Sequence, residues 1–376
     1  MKDTTRLLFV IENSAYGGGE KTFSQLIRGL PKEKFELYCA SLPYGRFHYE
    51  VKDHCRFLPL DLTRRFNLSN IGRLKGLMLE HKIDIAHSQG ARADFYCGFA
   101  AAGAGVKALA TVAMPVEGFN VSLPRKMAYS LLYLAAARKF RLAVTVSESL
   151  GTLLRKKFRS VEVIPNGVDL DEFNPDNFNA IPVIERFGLR GRLVVGALGR
   201  LEWQKGYGYL LSALNIVLRS EPELREKLVC LVAGSGSLES SLKKQAAELG
   251  LGGNVIFCGE FQQARDFLGA VDIFAMPSLS EGQPLALLEA MAMAKPVVAS
   301  DIPGISGTVS HGHEALLVPP ADAEPLAAVL LKLLRDRPAA AALGRSARKR
   351  AEGFGLPVFI GRHEAIYSVL MAEGKE

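Results

Sequence analysis

The sequence predicts an α/β protein of two domains, each built on a parallel sheet, and three observations carry that prediction. Short apolar runs alternate with helical stretches along most of the chain, which is the strand, crossover helix, strand order that a parallel sheet requires. The 376 residues exceed the roughly 250 to 300 that a single core supports. Several of the apolar runs also end in glycine-rich or charged loops, the positions where ligands collect in such sheets.

Composition narrows the function classes. With 48% hydrophobic and 23% charged residues the chain is ordinary for a globular protein. Its five cysteines, Cys39, Cys55, Cys97, Cys230 and Cys258, are scattered, odd in number and free of Cys-x-x-Cys spacing. Neither a disulfide framework nor a zinc site is expected, and a reducing cytoplasm fits. The first apolar run, residues 7–11, is too short for a signal peptide, and no run approaches the roughly 20 apolar residues of a membrane-spanning helix. A net charge of +7 and a pI near 9.1 call for an anionic partner, with nucleotide, phospholipid surface and nucleic acid all open on charge alone.

In the first half, residues 6–11 read as a buried strand, and an amphipathic helix is expected over 23–30. Between them lie Gly17, Gly18 and Gly19, which let a ligand approach the backbone and expose the helix N-terminus. The loop is neither a Walker motif, because Glu20 separates Gly19 from Lys21, nor a dinucleotide fingerprint, because Thr22 stands where a glycine is needed. Further strands are expected at 37–41, 83–87, 108–112 and 142–146. His87 and Arg92 follow the end of one of them as acceptor-side candidates, with a plain hydrogen-bonded loop histidine equally open for His87. Residues 123–141, LPRKMAYSLLYLAAARKFR, have an apolar centre between basic ends. This stretch can lie on an anionic membrane surface, although apolar stripes on helices more often face the core.

Residues 161–175, VEVIPNGVDLDEFNP, run from a strand into a polar connector, which sets the domains at 1–172 and 173–356, with a last helix returning over 357–376. Asp169 and Asp171 have Asp-x-Asp spacing but no further ligands nearby, so no metal is expected. The second domain opens with a strand at 193–198 and then GRLEWQKG, which places Arg200 and Lys205 where that strand ends. A guanidinium and an ammonium can neutralise a nucleotide diphosphate without a metal. Strands at 228–233, 255–258 and 273–276 follow. The first ends in Gly234-Ser235-Gly236, which falls short of a dinucleotide fingerprint at Glu239.

The last of these strands leads into SEGQPLALLEAMAMAKPVVAS, residues 280–300. Pro284 suits the first position of a helix, whose unpaired N–H groups make an anion site. Glu281 stands just before it and Glu289 eight residues later. Glu281 either complements the helix dipole or serves a ligand. A strand at 297–299, the segment DIPGI at 301–305, a strand at 316–319 and a helix at 325–335 complete the domain.

GRLEWQKG, NVIFCGE, SEGQPLALLEAMAMAKPVVASDIPG and IPNGVDLDEF, behind a glycine-rich loop after the first strand, together resemble the retaining GT-B glycosyltransferases of the large family 4, also called glycosyl transferases group 1. The likeness spans nearly the whole chain and is strongest over 193–320. It implies two Rossmann-like domains facing across a cleft, with the C-terminal helix crossing back to the first. It also implies a retaining, metal-independent glycosyltransferase with no cofactor, for which a nucleoside-diphosphate sugar is a co-substrate. In the family pattern Arg200 and Lys205 bind the diphosphate, Glu281 faces the transferred sugar and Glu289 the ribose. Gly282, Pro284 and Leu285 present backbone to the donor, and Gly18 and Gly19 close over it; Gly17 is expected on the acceptor side with the strand-end candidates His87 and Arg92. One departure is clear: where many members have Thr-x-His, this chain reads Thr111-Val112-Ala113.

The expected activity is transfer to a lipid-linked or polysaccharide acceptor of the cell envelope. The protein is expected in the cytoplasm, with peripheral membrane contact through a basic surface of the first domain and no nucleic-acid partner. A nucleotide-sugar epimerase on the same fold, or a non-catalytic sugar-nucleotide or glycan-binding partner, are the competing expectations.

Overall fold

In β1, Thr5–Ile11, the residues Leu7, Phe9 and Ile11 enter one apolar core while Leu8 and Val10 enter another. Successive side chains of a strand point to opposite faces, so a strand covered on both faces must be apolar throughout. The same holds for β9, Leu228–Ala233, where Val229, Leu231 and Ala233 face one core and Leu228, Cys230 and Val232 the other. That double burial is why these runs read as unbroken hydrophobic segments.

The computed structural model describes residues 4–12, 16–63, 67–114, 134–261 and 263–372. Two compact units divide at Gly167/Val168 and again at Gly355/Leu356. In the first, β1 is joined by β2 (Phe35–Ser41), β3 (Arg56–Pro59), β4 (Ile85–Gln89), β5 (Lys107–Val112), β6 (Leu142–Thr145) and β7 (Val161–Val163). All pair parallel in the order β3-β2-β1-β4-β5-β6-β7. The second unit holds β8 (Leu193–Leu198), β9, β10 (Val255–Gly259), β11 (Ile273–Met276), β12 (Val297–Ser300) and β13 (Leu316–Val318), parallel in the order β10-β9-β8-β11-β12-β13. Both sheets run 3-2-1-4-5-6 from their own first strand, the doubly wound Rossmann order. In each, the direction of winding reverses between the first and fourth strands: β1 and β4 in one unit, β8 and β11 in the other.

The C-terminal helix Leu356–Ala372 belongs to the first unit, where Phe359, Tyr367 and Leu370 join the core that holds Leu7 and Phe9. Where the chain enters and leaves the second unit, Val168 and Gly355 form a bridge and Val168 N–H donates to Phe354 C=O at 2.8 Å.

Several boundaries differ from the sequence reading. The strand β3, RFLP, is absent from that reading because an edge strand with an arginine and a closing proline has too little apolar content to signal itself. The first helix begins at Gly18 rather than at residue 23. The Glu20 carboxylate turns back to accept the Gly17 N–H at 2.9 Å, so Gly18 and Gly19 form the first helical turn instead of an open loop. Pro284 is the N-cap, with φ −76° and ψ 126°, and Leu285 is the first helical residue. Of the basic-ended stretch 123–141, residues 123–133 lie outside the described residues.

Candidate active site

The second unit's switch point gathers the charged candidates. After β8 the chain makes a short 3-10 turn, Trp203–Lys205, and after β11 it passes through Pro277 to Glu281. These loops become neighbours because β8 and β11 pair, Ile273 with Val195 and Phe274 with Gly196. Leu279 N–H donates to Gln204 C=O at 2.7 Å. Gly206 sits between them at φ 64°, and a Cβ there would meet Pro277 C=O at 2.0 Å, so only glycine permits this approach.

Lys205 and Glu281, 76 residues apart, meet in this arrangement: Lys205 Nζ donates to Glu281 Oε1 at 2.6 Å. Their side chains are 18% and 9% exposed, and Ser278 Oγ donates to the same carboxylate oxygen at 2.8 Å. Behind the pair, burial pushes the Tyr207 hydroxyl pKa up, with the Glu281 charge adding to the effect. Gly304, in the short helix Pro303–Ser306 of the DIPGI segment, packs beneath Glu281, where a Cβ would come within 2.2 Å of the Glu281 carbonyl oxygen and 2.7 Å of that of Gly282.

Helix Leu285–Ala292 continues from this loop with Leu287, Leu288 and Met291 fully buried. Each such side chain contributes about 2 kcal/mol of burial, which anchors the helix N-terminus beside the ion pair. Its far end is capped by Arg348, whose Nη1 donates to Ala292 C=O and Phe173 C=O, both at 2.8 Å. Glu289 is buried on this helix at 5% exposure, and Gly282, Pro284 and Leu285 are buried at its start.

Arg200 is exposed at the end of β8, beside the Gly234 turn. Glu202 fastens that loop to the end of β9. It accepts Ser237 N–H at 2.9 Å and Ser237 Oγ at 2.7 Å, and these bonds hold its carboxyl below the usual range. Asp169 Oδ1 accepts the N–H groups of Asp171 and Glu172 at 3.1 and 3.0 Å, a local turn in the connector.

At the first unit's switch point, Gly19 faces the end of β4, where a Cβ on it would meet Gln89 Nε2 at 2.5 Å. Among the described residues, Gln89 Oε1 is buried there without a hydrogen-bond partner. Arg92 pairs with Glu12 at 2.7 Å and donates to the carbonyls of Leu62 and Thr63.

His87 requires a correction. The strand runs two residues beyond the expected end, so His87 is its middle residue, fully buried, and not a loop residue on the acceptor side. Its Nδ1 lies 2.7 Å from Tyr367 OH and its Nε2 2.7 Å from Thr111 Oγ1. Burial, and secondarily His363, lower its pKa well below the ordinary value. Both ring nitrogens thus serve to tie the C-terminal helix to β4 and β5. Thr111, the residue that remains of the Thr-x-His pattern, is the one His87 holds.

Sequence reasoning missed Ser278, Tyr207 and Gln89. A Ser three residues before a Glu, or a Gln at a strand end, is too common to stand out until the fold brings it to a charge.

Residues 185–350 match the glycosyl transferases group 1 family and residues 16–172 glycosyltransferase family 4. The chain is 33% identical over 243 residues to the D-inositol 3-phosphate glycosyltransferase of Streptomyces avermitilis, covering 61% of this chain and 52% of that protein. It therefore spans about half the length of that relative. It is 28% identical over 337 residues to the UDP-Gal:alpha-D-GlcNAc-diphosphoundecaprenol alpha-1,3-galactosyltransferase of Escherichia coli, covering 85% of each. Among solved structures, Anabaena HepE in complex with UDP and glucose superposes with a TM-score of 0.84 at 20% identity, over 97% of this chain and 100% of that one. WaaG, a glycosyltransferase involved in lipopolysaccharide biosynthesis, gives 0.77 at 16% identity over 96% and 99%. These likenesses show the GT-B fold.

Proposed function

We propose that this chain, which belongs to the glycosyl transferases group 1 family, transfers a sugar with retention from a nucleoside-diphosphate sugar to a lipid-linked or polysaccharide acceptor of the cell envelope. The observation that carries this reading is the Lys205–Glu281 pair at the second unit's switch point. There a cation for a departing diphosphate and a carboxylate for positive charge at an anomeric carbon stand side by side. Arg200 and the N-terminus of helix Leu285–Ala292 add charge and N–H donors for the phosphates. Glu289 is the candidate for the ribose hydroxyls, and Gly282, Pro284 and Leu285 offer backbone to the donor. From the first unit, Gly17–Gly19 and Arg92 are the candidates for ligand contact at its own switch point.

The acceptor class is suggested by the relatives, one of which is named for a diphosphoundecaprenol substrate. Among the described residues no helix is long and apolar enough to cross a membrane. Work on a lipid-linked acceptor would then be done by peripheral contact at the cytoplasmic face, with the basic net charge favouring an anionic surface. The chemistry assigned to Arg200 and Lys205 needs no metal, so turnover should survive a chelator.

The test is a thermal-shift panel of UDP, GDP, UDP-glucose, UDP-galactose and GDP-mannose, since a ligand of the folded state raises the midpoint. Turnover assays of the stabilising donor follow. Loss of turnover in both Glu281→Ala and Lys205→Ala is expected, and wild-type rates in both refute the reading. Conversion of the donor sugar with no acceptor present would identify an epimerase instead.

A further inference from the structure

Ser278 stands at the second unit's switch point, and none of the motifs above assigns it a task. It follows Pro277 at the end of β11, is 1% exposed, and donates its Oγ hydrogen to Glu281 Oε1 at 2.8 Å. Lys205 Nζ donates to the same atom at 2.6 Å. Two donors therefore converge on one carboxylate oxygen, and Oε2 accepts from neither.

The two anchors differ in what can draw them away. Lys205 carries a full charge and has further N–H donors beyond the one given to Glu281. A diphosphate is more negative than a carboxylate and competes for that ammonium directly. Ser278 is neutral and enclosed, and its loop is fixed by the Leu279 to Gln204 hydrogen bond at 2.7 Å and by the close approach of Pro277 C=O to Gly206. A phosphate group has little to offer it. With Lys205 as its only partner, Glu281 would lose its orientation whenever the donor arrived, at the moment its orientation matters.

Resting on the donor-sugar reading above, we propose that Ser278 is a positioning residue that holds the Glu281 carboxylate in place while Lys205 is shared with the donor diphosphate. The hydroxyl fixes Oε1 through the binding event and leaves Oε2 directed to the ligand. Ser278 touches no substrate and acts through Glu281 alone. Its removal should therefore alter the rate of the bound complex and not the strength of donor binding.

The experiment compares wild type, Ser278→Ala and Ser278→Thr with whichever of UDP-glucose, UDP-galactose or GDP-mannose the wild type turns over, together with calorimetry of UDP and GDP binding. Ser278→Ala is expected to lower kcat tenfold or more, with donor KM and nucleotide affinity within about twofold, when assayed well below a melting midpoint that the loss of this one buried hydrogen bond lowers modestly. Ser278→Thr, which keeps the hydroxyl, is expected to recover most of that loss. Wild-type kcat in Ser278→Ala overturns the proposal. So does a loss confined to KM, which would make Ser278 part of the donor-binding loop, or a Thr variant as slow as the Ala variant. A wild type that binds neither UDP nor GDP overturns the donor reading itself, an outcome distinct from all of these.

Discussion

Replacing Lys205 by methionine keeps the aliphatic stem and removes the charge, leaving Glu281 at 9% exposure with only Ser278 donating to its Oε1. Two unit charges at the observed 2.6 Å attract by roughly 6 kcal/mol at an effective dielectric of about 20. Desolvation takes back most of that attraction, and breaking one side of a buried pair costs about 3 to 5 kcal/mol. Because Lys205 keeps 18% exposure, some of its field is already screened, and a cost of about 2 to 3 kcal/mol is expected for Lys205→Met. Glu281→Gln should cost a similar amount by leaving the ammonium unpaired. In the double variant no charge is left uncompensated, so its cost should fall below the sum of the two by about 2 kcal/mol.

Trp203, the chain's only tryptophan, lies in the same turn as Lys205 and reports the unfolding of this unit directly in a urea titration. Turnover separates the two roles of the pair. Stability should be partly restored in the double variant, while donor turnover should stay at least about a hundredfold below wild type in all three. A coupling energy below about 0.5 kcal/mol, or a double variant that regains turnover, would refute the reasoning.

Gly304→Ala places a methyl group where the Glu281 carbonyl oxygen lies 2.2 Å away. The loop must shift, at a cost of about 1 to 3 kcal/mol and with turnover reduced about tenfold or more, measured by thermal melting and donor assay. Tyr367→Phe removes one hydroxyl from a fully buried ring and leaves His87 Nδ1 without its partner at 2.7 Å. It should destabilise the first unit by about 1 to 3 kcal/mol, read by hydrogen exchange in the C-terminal helix, with donor binding unchanged. Burial raises Asp94 from 3.8 to about 7, so its contribution to stability is complete below the unfolded value and is lost as pH rises through 7. Asp94→Asn should therefore gain up to about 4 kcal/mol relative to wild type between pH 4 and pH 8, measured by urea unfolding at both pH values. Trp203, at 42% exposure beside Lys205, should change its fluorescence when UDP or GDP binds. A flat titration at concentrations where calorimetry detects binding would refute that placement.

The sequence by itself determined the two parallel sheets. Burial on both faces forces a strand such as Leu228–Ala233 to be apolar at every position, and that signature is local. It also determined the kinds of chemistry available at strand ends: the cations of GRLEWQKG, the acids around Pro284 and the glycines after β1. Local pattern could not show β3, an edge strand of four residues, nor the start of the first helix, which depends on Glu20 turning back to Gly17. It placed His87 in a loop, whereas pairing with β1 and β5 puts that residue in the middle of β4, where Thr111 and Tyr367, 24 and 280 residues away, take its two nitrogens.

Only the tertiary structure decided which charges meet. Lys205 and Glu281 are separated by three strands, β9, β10 and β11, and the helices between them, and no periodicity of the chain relates them. They become partners because the winding of the second sheet reverses between β8 and β11, which sets those two strand ends side by side and brings Ser278 onto the same carboxylate oxygen.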